Sequence, residues 1–491
     1  MKTRVVRLSL LIVTAACAVI VLWAFLSGRR HPVALIRVLD AAGKPVAGAI
    51  IKPDGLRTKP GPYSSGHYGW RTEPGWPPND PASTDGDGFA RVQYPKFVFE
   101  RIESGQISFS VNHPEFVPDR PFRTVTTTPP AGAPWRNWAE YVWNRIQNKA
   151  LIARTDAVVL QRGAILKLSV RPEPAARNNG PLFAQASGAW IQETNFWVRP
   201  EPGVIITRQL AAGPQAVRAI QFDASGSAWF SDVISLTATA EQTNDVVVEL
   251  KRGITLQGQL DATVPRPVTN GRVVAHVWPQ GLKPQDSPPQ WHAWTSVRDD
   301  GTFEISSLPA GELEIVALCN GFVSTNGPGQ SPSMHYPQKH LLGTNDVVIR
   351  IGLERTACLE IEVQDDHGNP LKAAKVSAWP NVRYGEWSAI ILTGDLYNSA
   401  DLLRDGLKSR AWWQPVPDFQ GISDSAGLAV IHNLPSEANV FNVEHPDFVM
   451  PAIVTTSGDR SRSTSVKLIA GQTNRVVVRL EPRGQSPIAH Y

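Results

Sequence analysis

Two patterns of apolar residues divide the chain. Leu8 to Gly28, LSLLIVTAACAVIVLWAFLSG, is a run of 21 residues without a charge. At 1.5 Å per residue such a run crosses a hydrocarbon core of roughly 30 Å as a helix. From His31 onward apolar residues alternate with polar ones in short runs rich in Val and Ile, bounded by Gly, Pro, Asn and Asp. That pattern predicts β-strands with one buried face.

The strand pattern repeats. RTDAVVLQRG (154–163), QTNDVVVELKRG (242–253), GTNDVVIRIGLER (343–355) and QTNRVVVRLEPRG (472–484) share a Thr-Asn or Thr-Asp turn, a β-branched run and a basic end. The first three are followed at once by a new strand: AILKLSVR, ITLQGQLD and ACLEIEVQD. Four consecutive units of about 115 residues are expected, a usual domain size. They span 31–162, 163–252, 253–355 and 356–482, with a leader at 1–30 and a tail at 483–491. The direct succession of tail and head predicts that units three and four are separately stable and meet near Glu354.

Other phrases fall in a fixed order within the units. Heads read VLDAAGKPVAGAII (38–51) and VQDDHGNPLKAAKV (363–376). Asp-Gly turns follow in STDGDGFARV (83–92), RDDGTFEISSLPAG (298–311) and SDSAGLAVIHNLPS (423–436), with a weaker FDASGSAWFSDV (222–233) in unit two. VNHPEFVP (111–118), VALCNGFVS (316–324) and VEHPDFVMP (443–451) come next. In this order the phrases resemble carboxypeptidase regulatory-like domains. The resemblance covers units one, three and four well and unit two, which lacks the head, poorly. It implies transthyretin-like, Greek-key β-sandwiches; with the apolar run at 8–28 read as one N-terminal transmembrane helix, the expectation is an all-β chain of four such domains after it. In that family the catalytic zinc domain of the peptidases is a separate module.

Units one and four carry inserts at 53–82 and 380–420. The Pro and Gly content of the first argues against regular structure. The second holds a helix candidate starting at Ser399, SADLLRDGLK. Trp135, Trp138, Val142 and Ile146 recur at helical spacing within 134–150, which predicts an amphipathic helix packed on sandwich one.

Composition narrows the function. Of 48 basic and 44 acidic residues, five basic ones and no acid lie in residues 1–30. The rest of the chain is then close to neutral, which excludes the basic field of a nucleic-acid binder. Lys2, Arg4 and Arg7 favour a cytoplasmic N-terminus, so the bulk is expected on the exported face of a single-pass membrane protein, periplasmic or extracellular. Secretion after signal cleavage is the alternative. Three Cys exclude a disulfide scaffold and a four-Cys zinc site. Cys319 and Cys358 lie in strand-like runs and read as buried small hydrophobes.

Chemistry is sparse. The eleven His show no H-x-x-E or H-E-x-x-H spacing, and neither a G-x-S-x-G elbow nor a phosphate-binding loop occurs. No catalytic residue, cofactor or metal is assigned. His113 and His445 read as strand-end side chains bonded to backbone, and Asp85 and Asp87 as turn formers. Tryptophan is in excess at 16 copies. Trp70, Trp76, Tyr384, Trp387, Trp412 and Trp413 in the inserts are candidates for stacking on a ligand's sugar rings. The expected function is a non-enzymatic, membrane-anchored array of sandwiches acting as spacer and interaction module. Its partners are the membrane, through 8–28, and a glycan or another surface protein. The alternatives are a carbohydrate-binding surface protein and, third, a hydrolase using Glu73, Asp80, Glu386 and Asp395.

Overall fold

The structure, a computed structural model, describes residues 31–57, 67–70, 77–95, 104–129, 132–147, 151–171, 182–186, 196–198, 204–282, 288–328, 334–379, 398–405, 419–436, 440–451, 453–454, 460–461 and 463–482. The expected anchor at 8–28 lies outside them. Among the described residues no helix is long and apolar enough to cross a membrane. Apart from two helices, α1 (Trp135–Ile146) and α2 (Ser399–Asp405), the described elements are strands. The chain is all-β, a tandem of β-sandwiches.

One pairing recurs four times. The first strand of each sandwich lies antiparallel to one partner and parallel to the strand that carries the tail phrase. Val33–Asp40 pairs antiparallel with Phe89–Gln93, and parallel with Ile152–Thr155 and Val158–Leu160. Ala164–Arg171 does so with Val204–Leu210 and Thr243–Arg252. Ile254–Leu260 does so with Thr302–Leu308 and Val347–Ile351. Ala357–Gln364 does so with Leu428–Leu434 and Thr473–Arg479. The tail Asn pins the parallel pair. Asn244 Nδ2 donates to the Ile165 and Gln242 carbonyls, both at 3.3 Å. Asn474 Nδ2 donates to those of Cys358 and Gln472, both at 3.2 Å.

The repeated Asp residues are turn formers. Oδ1 of Asp40, Asp85, Asp223, Asp365 and Asp424 each accepts the backbone N–H groups two and four residues on. Gly88 and Gly427 close two of these turns at φ 76° and 75°. A Cβ there would also stand 2.5 Å from the Val38 carbonyl oxygen or 2.6 Å from that of Val363. Glycine alone fits both demands.

The hydroxyl that precedes the Asp explains why head and turn phrases travel together. Thr84 Oγ1 accepts from the Ala49 N–H at 2.8 Å and donates to the Val46 carbonyl at 2.7 Å. Ser423 Oγ accepts from Ala374 N–H at 2.8 Å and donates to the Leu371 carbonyl at 2.6 Å. Both hydroxyl side chains are buried and clamp the head hairpin to the turn. Ser423→Ala should strand a buried donor and acceptor and cost about 1–3 kcal/mol in urea unfolding. A loss near zero would mean that water replaces the clamp.

Packing divides the chain into two compact units after Gly163. The first holds one sandwich whose core is built from alternate residues such as Ala34, Ile36 and Val38, facing Ile107, Phe109 and Val111. Its insert is more regular than its Pro and Gly content suggests. Ile50–Arg57 and His67–Gly69 pair as strands there. The register of Ile50–Arg57 shifts between Pro53 and Gly55, the bulge geometry in which a strand tolerates proline. α1 forms where the spacing places it, but the described side chains of its apolar face are exposed rather than packed on the sandwich. Trp135 is 81% exposed, Trp138 39%, Val142 49% and Trp143 57%. Asn137, Tyr141 and Asn144 form the half-covered side instead.

The second unit holds three sandwiches whose sheets are shared between cores. In Arg272–Trp278, Val273, Ala275 and Val277 enter one core and Val274 the next. Along Gly311–Cys319, Leu313, Ile315, Ala317 and Cys319 enter the first while Val316 and Leu318 enter the second. Leu182–Ala186 is likewise buried at every position, with Phe183 in the core that holds Val273. A strand covered on both faces loses its polar alternation. The meeting of sandwiches three and four is therefore an apolar interface rather than a linker. A fragment of residues 164–482 should unfold in one transition, and 356–482 alone at a lower midpoint. Two transitions, the last matching the isolated fragment, would restore independent modules.

Candidate functional site

Several of the buried polar side chains, Gln185, Arg218, His276, Gln290 and His292, meet at one place in the second unit. Four strands of the second unit contribute. Gln185 (Leu182–Ala186) and Arg218 (Gly213–Phe222) come from sandwich two, and His276 (Arg272–Trp278) and His292 (Trp291–Ser296) from sandwich three. Gln290, just before the last of these, is the hub. Its carbonyl accepts from Gln185 Nε2 at 2.9 Å and Arg218 Nη2 at 3.3 Å. Its Oε1 lies 3.1 Å from His276 Nε2. The guanidinium of Arg218 also donates to Gln185 Oε1 at 2.6 Å and sits over the rings of Phe230 and Trp291, 5.4 and 5.9 Å from their centroids.

The histidine rings stack at 4.1 Å and 10°. Trp278 tilts against His276 at 4.3 Å and donates its indole N–H to Glu314 Oε2 at 3.4 Å. Lys339 reaches the same carboxylate at 3.3 Å from the exposed side. α2 closes the outer edge. Ser399 Oγ accepts from His292 N–H at 2.9 Å and Asn398 Oδ1 from Trp294 N–H at 2.8 Å, so the insert of unit four caps an edge strand of unit three. Leu403 of the same helix is buried in the core that holds Trp291.

Desolvation sets the charges. Burial holds His276 well below the ordinary imidazole range, with His292 adding to the effect, and lowers His292 to about 3. Both are neutral at pH 7, so the 3.9 Å approach of His276 Nδ1 to Glu314 is not an ion pair. Burial likewise pulls Arg218 down to about 9, which leaves it a cation held by neutral acceptors and aromatic faces. The arrangement joins two sheets and presents no nucleophile with its base.

The stability of this cluster should depend on pH. The unfolded chain protonates its histidines near pH 6.5 and the folded chain does not. Stability is thus complete above that pH and falls as pH drops toward 3, by up to ~1.4 kcal/mol per pH unit for each histidine. Urea unfolding between about pH 7.5 and pH 5, a range in which ordinary carboxylates stay mostly ionised, should show this slope, and His292→Phe should reduce it. A flat profile over the range would contradict the buried, neutral assignment.

Of the candidate residues singled out from sequence, Trp70, Asp80, His113 and His445 are described and are not part of this cluster. Trp70 is half-buried on the core of the first sandwich, edge-on to Tyr94 at 5.7 Å, with its indole N–H donating to the Pro77 carbonyl at 3.1 Å. Trp76, Tyr384, Trp387, Trp412 and Trp413 lie outside the described residues, as do Glu73, Glu386 and Asp395, while Asp80 is exposed. His113 and His445 are equivalent strand-end groups. Their Nδ1 atoms accept from Glu115 N–H at 3.2 Å and Asp447 N–H at 3.1 Å, and their rings meet Phe116 and Phe448 edge-on. Cys319 and Cys358 are both free. Cys319 is buried, with its thiol pushed up to about 11 by burial, whereas Cys358 is only half-buried, 3.5 Å from His432 Nδ1, and burial raises its thiol too. A thiol with a raised pKa is a poor nucleophile. Among the described residues no group of three or more His, Cys, Asp or Glu is placed to hold a metal ion. Sequence reasoning missed Arg218, His276, Gln290 and His292. For Arg218 and His276 the signal was a polar residue with apolar neighbours on both sides, in AVRAI (216–220) and VVAHVW (273–278); Gln290 and His292 had none.

No family model matches the chain, and no curated protein sequence does. Among solved structures it is similar to GBS52, a minor pilin of Streptococcus agalactiae, at 11% identity over 49% of this chain and 100% of that one, with a TM-score of 0.25. BcpA, the major pilin subunit of Bacillus cereus, is 12% identical over 92% and 100% at a TM-score of 0.14. The Bacillus anthracis TIE protein is 12% identical over 89% and 68% at 0.16. At these levels none of the likenesses bears on function.

Proposed function

We propose that the protein is a non-enzymatic array of transthyretin-like, carboxypeptidase regulatory-like sandwiches, held at a membrane by residues 8–28 and exported from His31 onward. It serves as a spacer and interaction module. The sharing of sheets between cores in the second unit supports this reading most directly. Val274, Val316 and Leu318 fix one sandwich on the next, as a spacer requires and a set of loosely tethered modules does not. The reactive groups add support. The buried imidazoles are neutral, the turn carboxylates are occupied by backbone N–H groups, and the thiols are held protonated.

Topology is tested by protease on intact spheroplasts. The sandwiches should be digested and only the anchor protected; full protection would overturn export. The rival carbohydrate reading rests on the tandem Trp412-Trp413 in the polar, Pro-bounded stretch AWWQPVPDFQ. Trp70, the described member of the candidate set, is half-buried and edge-on to Tyr94. Retention of the protein on a glycan array, lost in Trp412→Ala or Trp413→Ala, would replace the spacer reading with the carbohydrate one.

A further inference from the structure

α1 leaves an unusual surface. At 100° per residue Trp138, Val142, Trp135, Ala139 and Trp143 fall in one arc of about 140°. All five are exposed, three of them tryptophan. Asn137 and Asn144 occupy the opposite, half-covered side. The helix turns its apolar face outward and its amides inward, the reverse of a helix packed on a soluble domain.

The topology fixes the end of the sheet from which the chain leaves for α1 and to which it returns. Val33–Asp40 and Ile152–Thr155 are parallel, with Val33 opposite Ile152, and Val33 N–H donates to the Leu151 carbonyl at 3.0 Å. Parallel neighbours start at the same end of a sheet. The chain arriving from Gly28 and the chain arriving from α1 therefore reach the sandwich side by side. Phe122–Thr126, antiparallel to Ile152–Thr155, delivers the chain to α1 from that same end. Four residues separate Gly28 from Val33 and five separate Ile146 from Ile152, so the Cα-to-Cα reaches are at most roughly 18 and 21 Å.

We propose that α1 is an interfacial helix whose apolar face lies in the headgroup and upper acyl region of the phospholipid membrane that residues 8–28 span. The inference rests on the anchored reading above. Three features select lipid as the occupant. The helix and the apolar run are both joined to the same end of the first sheet. Its face is built from Trp and Val with Tyr141 alongside, and Trp and Tyr are the side chains enriched at membrane interfaces. Arg136, Arg145 and Lys149 against the single acid Glu140 make the segment cationic, and Arg29 and Arg30 add to it, which suits anionic headgroups.

The full chain, reconstituted in vesicles of phosphatidylglycerol and phosphatidylcholine brominated near the headgroup, provides the test. Trp23→Phe removes the anchor tryptophan and leaves fifteen, three of which are on the arc. Shallow bromines should then quench about a fifth of the emission. Adding Trp135→Gln, Trp138→Gln and Trp143→Gln should remove that quenched fraction and leave the melting midpoint unchanged, because these side chains are exposed. No quenching in Trp23→Phe, or quenching that survives the triple substitution, overturns the proposal. So does self-association of the chain, lost in the triple variant without any quenching, which assigns the face to a second copy. Flotation after carbonate extraction reports the anchor separately. A chain released by carbonate that still shows shallow quenching loses the anchor and keeps the interfacial helix.

Discussion

Everything in this fold depends on the last strand of each sandwich returning to lie parallel to the first. Parallel strands cannot be joined by a tight turn, so the intervening chain must travel through the second sheet and come back, and that detour is the sandwich. The pairing needs a stop that places the returning strand in register, and in sandwiches two and four the tail Asn provides it through the Ile165 and Cys358 carbonyls. Because first and last strands run the same way, the chain leaves at the end opposite its entry. The next first strand then starts without a linker, as Gly253 does between Arg252 and Ile254.

The parts fixed by local chemistry were legible in the sequence. The Asp turns, the glycines that close them and the β-branched tail strands are each decided by a few neighbouring atoms, and they recur in order. α1 and α2 were legible as helices for the same reason. What each helix touches was not. A 3.6-residue period says that a helix has an apolar face, but not that the sandwich beneath offers a complementary surface. Ser399 could be read as a helix start, but not as the group that caps the His292 N–H across more than a hundred residues.

The polar cluster escaped sequence reasoning because its members are scattered over strands that read as ordinary core. Arg218 and His276 occur singly, and only the packing of sandwich two on sandwich three brings Gln290 between them. A buried cation and two buried imidazoles cost stability relative to apolar side chains of the same volume. Two apolar sheets can slide over one another with little change in energy. Sheets joined through one glutamine carbonyl have a single register. Trp70 teaches the converse lesson: an aromatic in a Pro- and Gly-rich insert read as a platform, and its ring lies against Tyr94.

The parallel closure also has a mechanical side. Within one sandwich the entry strand and the exit strand are hydrogen-bonded neighbours that leave at opposite ends, as Ala357–Gln364 and Thr473–Arg479 do. A load applied along the chain pulls these two strands past each other lengthwise. Their ladder is strained in shear, with its bonds resisting together, and does not open from one end like a zipper. Each sandwich is thereby arranged to carry tension along the direction in which the chain runs.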